Sequence, residues 1–200
     1  MTSIIKVQDI QNATGDNIIK EASNTITIGA SGDTTNIVGT LQNNGAGVGG
    51  ANTPAFFAYL GSNQDISDDT WTKVSINTEE YDTAGNFDNS SNYRFTPTTA
   101  GKYFFYATVC LKSGSDNKIR SCGMAFYKNG SALYGGTNDV GNEQSTSEQT
   151  TISASFTMNG SSDYVELYGR IDVASGIGQF LSNYQSANRT TYFGAYKIIE

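Results

Sequence analysis

The chain contains no histidine. That absence removes the usual general base of serine and cysteine nucleophile triads, the commonest zinc ligand, and most charge switching in the neutral pH range. Any enzymology would have to rest on carboxylates, lysine or tyrosine. Cysteine is nearly as scarce. Cys110 and Cys122 are the only two, too few for a disulfide framework and too far apart for a CxxC redox or zinc pair. Both are expected to behave as small buried hydrophobes. Basic residues are also few: 12 Lys+Arg face 19 Asp+Glu, a formal charge of -7. No basic run breaks that balance, which argues against nucleic acid as a partner. The start, MTSIIKVQDIQ, has no apolar stretch of the signal-peptide kind, and no window approaches the ~20 apolar residues of a membrane-spanning helix. No membrane insertion is expected, and the chain reads as folded in a cytosol.

What is present suits one globular domain with a shorter appendage: 200 residues, 37% hydrophobic and 12% aromatic, with two prolines. Residues 1–45 differ from the rest. They hold no aromatic residue and carry short β-branched runs, SIIKV, NIIK, NTITIGA and TNIVGTL, punctuated by NATGDN and ASGDTTN. Such runs predict short strands joined by tight turns. So little apolar material cannot form a monomeric core, so the segment is expected to gain stability by wrapping with copies from other chains. A flexible N-terminal tail is the other reading. A Gly-rich linker is expected over residues 46–53, within NNGAGVGGANT.

From Pro54 onward, residues 54–200, the pattern is all-β. Strands are expected at PAFFAYL, WTKVSIN, NYRFTP, GKYFFYATVCLK, IRSCGMAFYKNG, TTISASFTMN, DYVELYGRIDV and RTTYFGAYKII, separated by Gly, Asn, Ser and Asp clusters. That density of short strands fits a two-sheet sandwich or jelly roll. Side chains alternate along a strand with period 2. In GKYFFYATVCLK this puts Tyr103, Phe105, Ala107, Val109 and Leu111 on one face, and Phe104, Tyr106, Thr108 and Cys110 on the other. The first set, with Leu167 from a second strand, is the expected sandwich core. Phe104 and Tyr106 then need a different cover, because leaving a large aromatic in water forfeits roughly 1.5–3 kcal/mol. A subunit interface is the economical cover. In the last strand Tyr192 is opposite in phase to Phe193, and Gly194 leaves room for close approach by a neighbour.

YRFTPTTAGKYFFYATV, residues 93–109, resembles the F-x-P-x-x-x-G-x-Y-x-F signature of the globular head of the first complement component, a relative of the tumour-necrosis-factor jelly roll. SSDYVELYGR resembles that family's acidic turn and V-x-L strand, and TTYFGAYKII its terminal strand. The resemblance implies a jelly roll that assembles as a three-fold homotrimer around an aromatic axis, with Phe104, Tyr106 and Tyr192 at the interface. The N-terminal stretch IIKVQDIQNATGDNIIKEASNTITIGASGDTTNIVGTLQNNGA resembles the leader of structural proteins in tailed bacteriophages. Together the two resemblances imply a homotrimeric virion surface protein, assembled in the host cytoplasm, that decorates the capsid or forms a short fibre. Its partners would be copies of itself and phage capsid or tail proteins. A receptor- or glycan-binding fibre tip is the alternative, and a polysaccharide-cleaving spike is a more distant one.

Chemistry outside the aromatic strand would have to sit in polar loops. Asp65, Asp68 and Asp69 in GSNQDISDDT could offer oxygens to Ca²⁺, but they lack the spacing of an EF-hand loop and read as solvated turn carboxylates. Glu79, Glu80, Asp82 and Asp88 could supply a glycosidase acid and nucleophile only if two of them lay about 5–10 Å apart. No catalytic residue, metal or other cofactor is assigned. GGTNDVGNEQSTSEQ (135–149) and DVASGIGQFLSNYQSAN (172–188) are the better recognition loops. In the second, Phe180 and Tyr184 are aromatics of the kind that stack on a sugar or meet a protein, or else tuck back onto the sandwich.

Overall fold

A computed structural model of the chain describes residues 52–198 except 115–117, 142–144 and 186. Nearer the N-terminus it describes residues 9–11, 17–22, 25–28, 32, 34–38, 41–43 and 46–47. The chain divides into two compact units, Met1–Gly50 and Ala51–Glu200. In the first, Asp9–Gln11, Asn17–Ala22 and Thr25–Ile28 form an antiparallel sheet. The runs NIIK and NTITIGA supply its second and third strands. The expected strand SIIKV and most of the turn NATGDN lie outside the described residues, and residues 35–38 of TNIVGTL carry no strand. Gln42–Asn43 pairs with Ala46–Gly47 where the linker was expected to begin.

The second unit is two antiparallel sheets, with no helix among the described residues. The first sheet runs Gln64–Ile66, Gly178–Phe180, Gly101–Ser113, Tyr192–Lys197, Ala55–Tyr59, Thr78–Asp82. Ser147–Met158 pairs along the other edge of Gly101–Ser113, from Gly101↔Met158 to Lys112↔Ser147. The second sheet runs Phe87–Asp88, Arg94–Phe95, Val165–Val173, Ile119–Lys128, Ser131–Asp139, with Thr72–Lys73 also on Val165–Val173. Two tight turns follow from their residues. Asn129 and Gly130 both take positive φ (53° and 79°), the conformation a two-residue hairpin with right-handed twist requires. In the second, the Asn159 side chain accepts the backbone N–H groups of Ser161, Ser162 and Asp163.

The core lies between the sheets. Tyr103, Phe105, Val109 and Leu111 point in from the first sheet, and Met124, Phe126, Leu167 and Ile171 from the second, all fully buried. Phe56 anchors an aromatic cluster, with ring centroids 4.5 Å from Phe87, 4.7 Å from Phe95 and 5.0 Å from Phe193. Such pairs contribute about 0.5–1.5 kcal/mol each beyond their burial. The Tyr103 hydroxyl donates to the Thr99 carbonyl at 2.8 Å, and burial pushes its pKa up to about 12. Cys110 and Cys122 are buried free thiols, and burial pushes both pKa values up, which suits packing and opposes thiolate chemistry.

Some strands differ from expectation. Ser131–Asp139 is a nine-residue strand within and before the stretch read as a polar loop. Its sequence, SALYGGTND, lacks alternation because it is a sheet edge exposed along nearly its whole length. WTKVSIN keeps only Thr72–Lys73 as a strand, yet Val74 and Ile76 are fully buried.

Candidate functional site

The outward face of the first sheet splits into two halves along Gly101–Ser113. In the second half, Thr108 is fully buried and Cys110 is 2% exposed, because the chain covers them itself. The N–H of Cys110 donates to the Thr191 hydroxyl at 3.0 Å, the N–H of Leu181 donates to the Cys110 carbonyl at 2.8 Å, and Thr108 and Thr151 share a hydroxyl hydrogen bond. Phe104 and Tyr106, in the first half, are only half-buried.

Strand register assembles more aromatics around them. Tyr106 lies opposite Gly194 and Phe104 opposite Tyr196, while Gly194 lies opposite Phe57 and Tyr192 opposite Tyr59 on the far side. The face therefore carries Phe57, Tyr59, Phe104, Tyr106, Tyr192 and Tyr196, joined by Tyr81 from the outermost strand. Phe57 is the hub, with ring centroids 5.5 Å from Tyr192, 6.3 Å from Tyr106 and 6.4 Å from Tyr81. Phe104 sits 5.6 Å from Tyr196 and 6.4 Å from Tyr106. Tyr106 lies flat across the Gly194 backbone: a Cβ built on Gly194 would overlap its ring. The neutral hydroxyl of Tyr106 is strongly favoured, first by burial and then by its hydrogen bond with Tyr81. At one margin the Arg189 guanidinium lies 4.5 Å from the Tyr59 ring centroid and pairs with Glu80 at 2.7 Å.

Sequence alternation brought Phe104, Tyr106 and Tyr192 to this face and missed Phe57, Tyr59, Tyr81 and Tyr196. The adjacent pair Phe56-Phe57 carried the same signal as Phe104-Phe105, one ring for each side of the sheet. Tyr81 had no such signal, because it came from a stretch read as an acidic loop.

The polar loops are turn-building. Asp65 accepts from the Gln179 amide at 2.6 Å, Asp68 from the Val173 N–H at 2.7 Å, and Asp69 pairs with Arg170. Among the described residues no group of three or more His, Cys, Asp or Glu is placed to hold a metal ion. Asp82 accepts from the Phe87 N–H at 2.7 Å. Asp88 caps a turn by accepting from Ser90, Ser91 and Asn92, and these hydrogen bonds hold its carboxyl well below the usual range. Glu79 moves up, through desolvation and then Asp82, on the outermost strand of its sheet.

Phe180 requires a correction. Expected on a recognition loop, it is fully buried in Gly178–Phe180, a strand paired with Gln64–Ile66. Its ring fills the space left by Gly169, where a Cβ would come within 2.6 Å. It is not available to a ligand. Tyr184 is half-buried in the short pairing of Asn183–Tyr184 with Ala187–Asn188.

No protein-family model matches the chain, and no curated protein matches it. Solved structures do. Eiger TNF from S. frugiperda aligns with a TM-score of 0.51 at 10% identity, over 73% of this chain and 91% of that one. Murine APRIL aligns at 0.50 and 11% identity, over 72% of this chain and 98% of that one. The globular domain of zebrafish complement 1qA aligns at 0.49 and 14% identity, over 74% and 99%. At such identities the likeness is one of fold, and the two-sheet head is a jelly roll of the tumour-necrosis-factor-like type.

Proposed function

We propose that the chain is a homotrimeric structural protein displayed on the surface of a tailed-phage particle, as capsid decoration or a short fibre. The observation that carries the assembly part is the divided face of Gly101–Ser113. Its own chain seals Thr108 and Cys110, while Phe104 and Tyr106 remain half-buried as two of seven aromatic side chains on one face. A face this rich in Phe and Tyr is typical of interface cores. The number three comes from the complement-head resemblance of YRFTPTTAGKYFFYATV. The particle comes from the phage-leader resemblance of residues 1–45, which would attach to capsid or tail proteins after assembly in the host cytoplasm. The role is mechanical rather than catalytic: of the carboxylates considered for hydrolysis, Asp82 and Asp88 serve turns and Glu80 an ion pair.

Phe104→Asp combined with Tyr106→Asp tests the assembly. Each charge would be carried into the shared face, and removing an unpaired carboxylate from water costs several kcal/mol. Light scattering should show monomers or aggregates in place of the trimer. A trimer that survives both substitutions sinks the assignment.

A further inference from the structure

The opposite sheet carries a second exposed apolar site. A shallow groove of about 290 Å³ lies on the outer face of the second sheet. Trp71, 36% exposed, forms one wall, and its Cη2 lies 3.1 Å from where a Cβ on Gly123 would stand. The floor is Ala125 and Gly135, opposed in register, with no side chain larger than a methyl group. Leu133 and Tyr134, 54% and 50% exposed, form the other wall, and Thr137 lies at one end.

We propose that this groove binds a neutral sugar, with one hexopyranose ring stacked on the Trp71 indole. Charge decides the class of ligand. No charged side chain lines the groove, although the chain as a whole carries a net charge of -7. A charged ligand would therefore lose hydration there without gaining a partner. Size limits the ligand to one or two rings, because drug-sized ligands occupy cavities of about 300–1,000 Å³. The rim excludes a purely apolar occupant. Tyr134 and Thr137, both hydroxyl-bearing residues, are among those lining the groove, and Ser131–Asp139 is the outermost strand, with no strand on its far edge among the described residues. A pyranose has an apolar ring face for the indole and a hydroxyl edge for that rim. An added peptide strand would lie along the sheet edge, whereas the Trp71 wall stands over Gly123 on the sheet face. The groove faces away from the aromatic face, so assembly through that face leaves one groove open on each copy, arranged for multivalent binding.

Trp71 is the only tryptophan, so its emission reports on this groove alone. The full chain is titrated with the methyl glycosides of glucose, galactose and mannose, with methyl glucuronide as the charged counterpart. We expect a saturable blue shift with at least one neutral glycoside, at a dissociation constant of about 1 mM, and none with the glucuronide. Leu133→Glu, at an exposed position, should weaken that response at least about tenfold while thermal unfolding stays unchanged. Any of three results overturns the proposal: no saturable shift with any neutral glycoside, an equal shift with the glucuronide, or a shift undiminished in Leu133→Glu. A blue shift that follows protein concentration without sugar also overturns it, because a second copy would then fill the groove.

Discussion

Replacing Gly194 by alanine should weaken assembly far more than folding. Gly194 sits between Phe57 and Tyr106 in one row across three strands. Their rings stack at 6.3 Å with an interplanar angle of 16°. The added methyl group would meet Tyr106 Cε2 at 2.9 Å and overlap the end of the ring. The overlapped atoms are the far end of a side chain with two rotatable bonds, so the ring swings away and the sheet stays in place. Its departure forfeits the stacking on Phe57, about 0.5–1.5 kcal/mol, and the hydrogen bond with Tyr81, about 0.5–1.5 kcal/mol. Alanine returns about 0.5–1 kcal/mol over glycine in a strand. The net cost to each protomer is about 0–2.5 kcal/mol, a fall in Tm of at most about 10 °C for a unit of this size. Assembly feels the change once per subunit. At about 1 kcal/mol per subunit the proposed trimer would lose about 3 kcal/mol, roughly a hundredfold in its dissociation constant. Sedimentation across a dilution series measures that loss, and scanning calorimetry measures the Tm. The decisive control is a double-mutant cycle: in a Tyr106→Ala background, Gly194→Ala should be neutral or mildly stabilising. If Gly194→Ala costs the same with and without the Tyr106 ring, the close approach of ring and backbone is not what the glycine serves.

Two further outcomes rest on the core and its margin. Lys73→Met strands Glu166, whose side chain is 6% exposed and pairs with Lys73 at 2.5 Å. Breaking a fully buried pair costs about 3–5 kcal/mol, and the partial exposure of Lys73 reduces that to about 2–3 kcal/mol. Urea unfolding should show this loss and its partial recovery when Glu166→Leu is added, and a single-variant loss under about 0.5 kcal/mol would refute the pairing argument. Tyr103 bears on pH. Its folded pKa is raised from 10.0 to about 12, so its contribution is complete below pH 10 and is lost as pH rises through that interval. The stability gap between the native chain and Tyr103→Phe should narrow over this window in denaturant titrations, and a constant gap would contradict a raised pKa.

Much of the fold was legible because a strand's period is 2, whatever it packs against. Alternation in GKYFFYATVCLK placed Tyr103 and Phe105 on one face and Phe104 and Tyr106 on the other, and strand register agrees. The same rule failed on short or exposed strands. Gly178–Phe180 has three residues, too few to display a period, so Phe180 read as a loop aromatic until its ring was found beneath Gly169. Ser131–Asp139 is exposed along both faces, and nothing selects alternation where neither face is buried.

The sequence by itself determined the all-β class, the two faces of the long aromatic strand and the inert character of two buried thiols. These are local properties, set by side-chain period and residue type. Only the tertiary structure decided which half of the aromatic strand its own chain covers, because that depends on where Leu181 and Thr191 meet Cys110. The same holds for the groove, where Trp71, Ala125 and Leu133 meet from three separate segments. Contacts between distant segments depend on strand order and register, which no local pattern encodes.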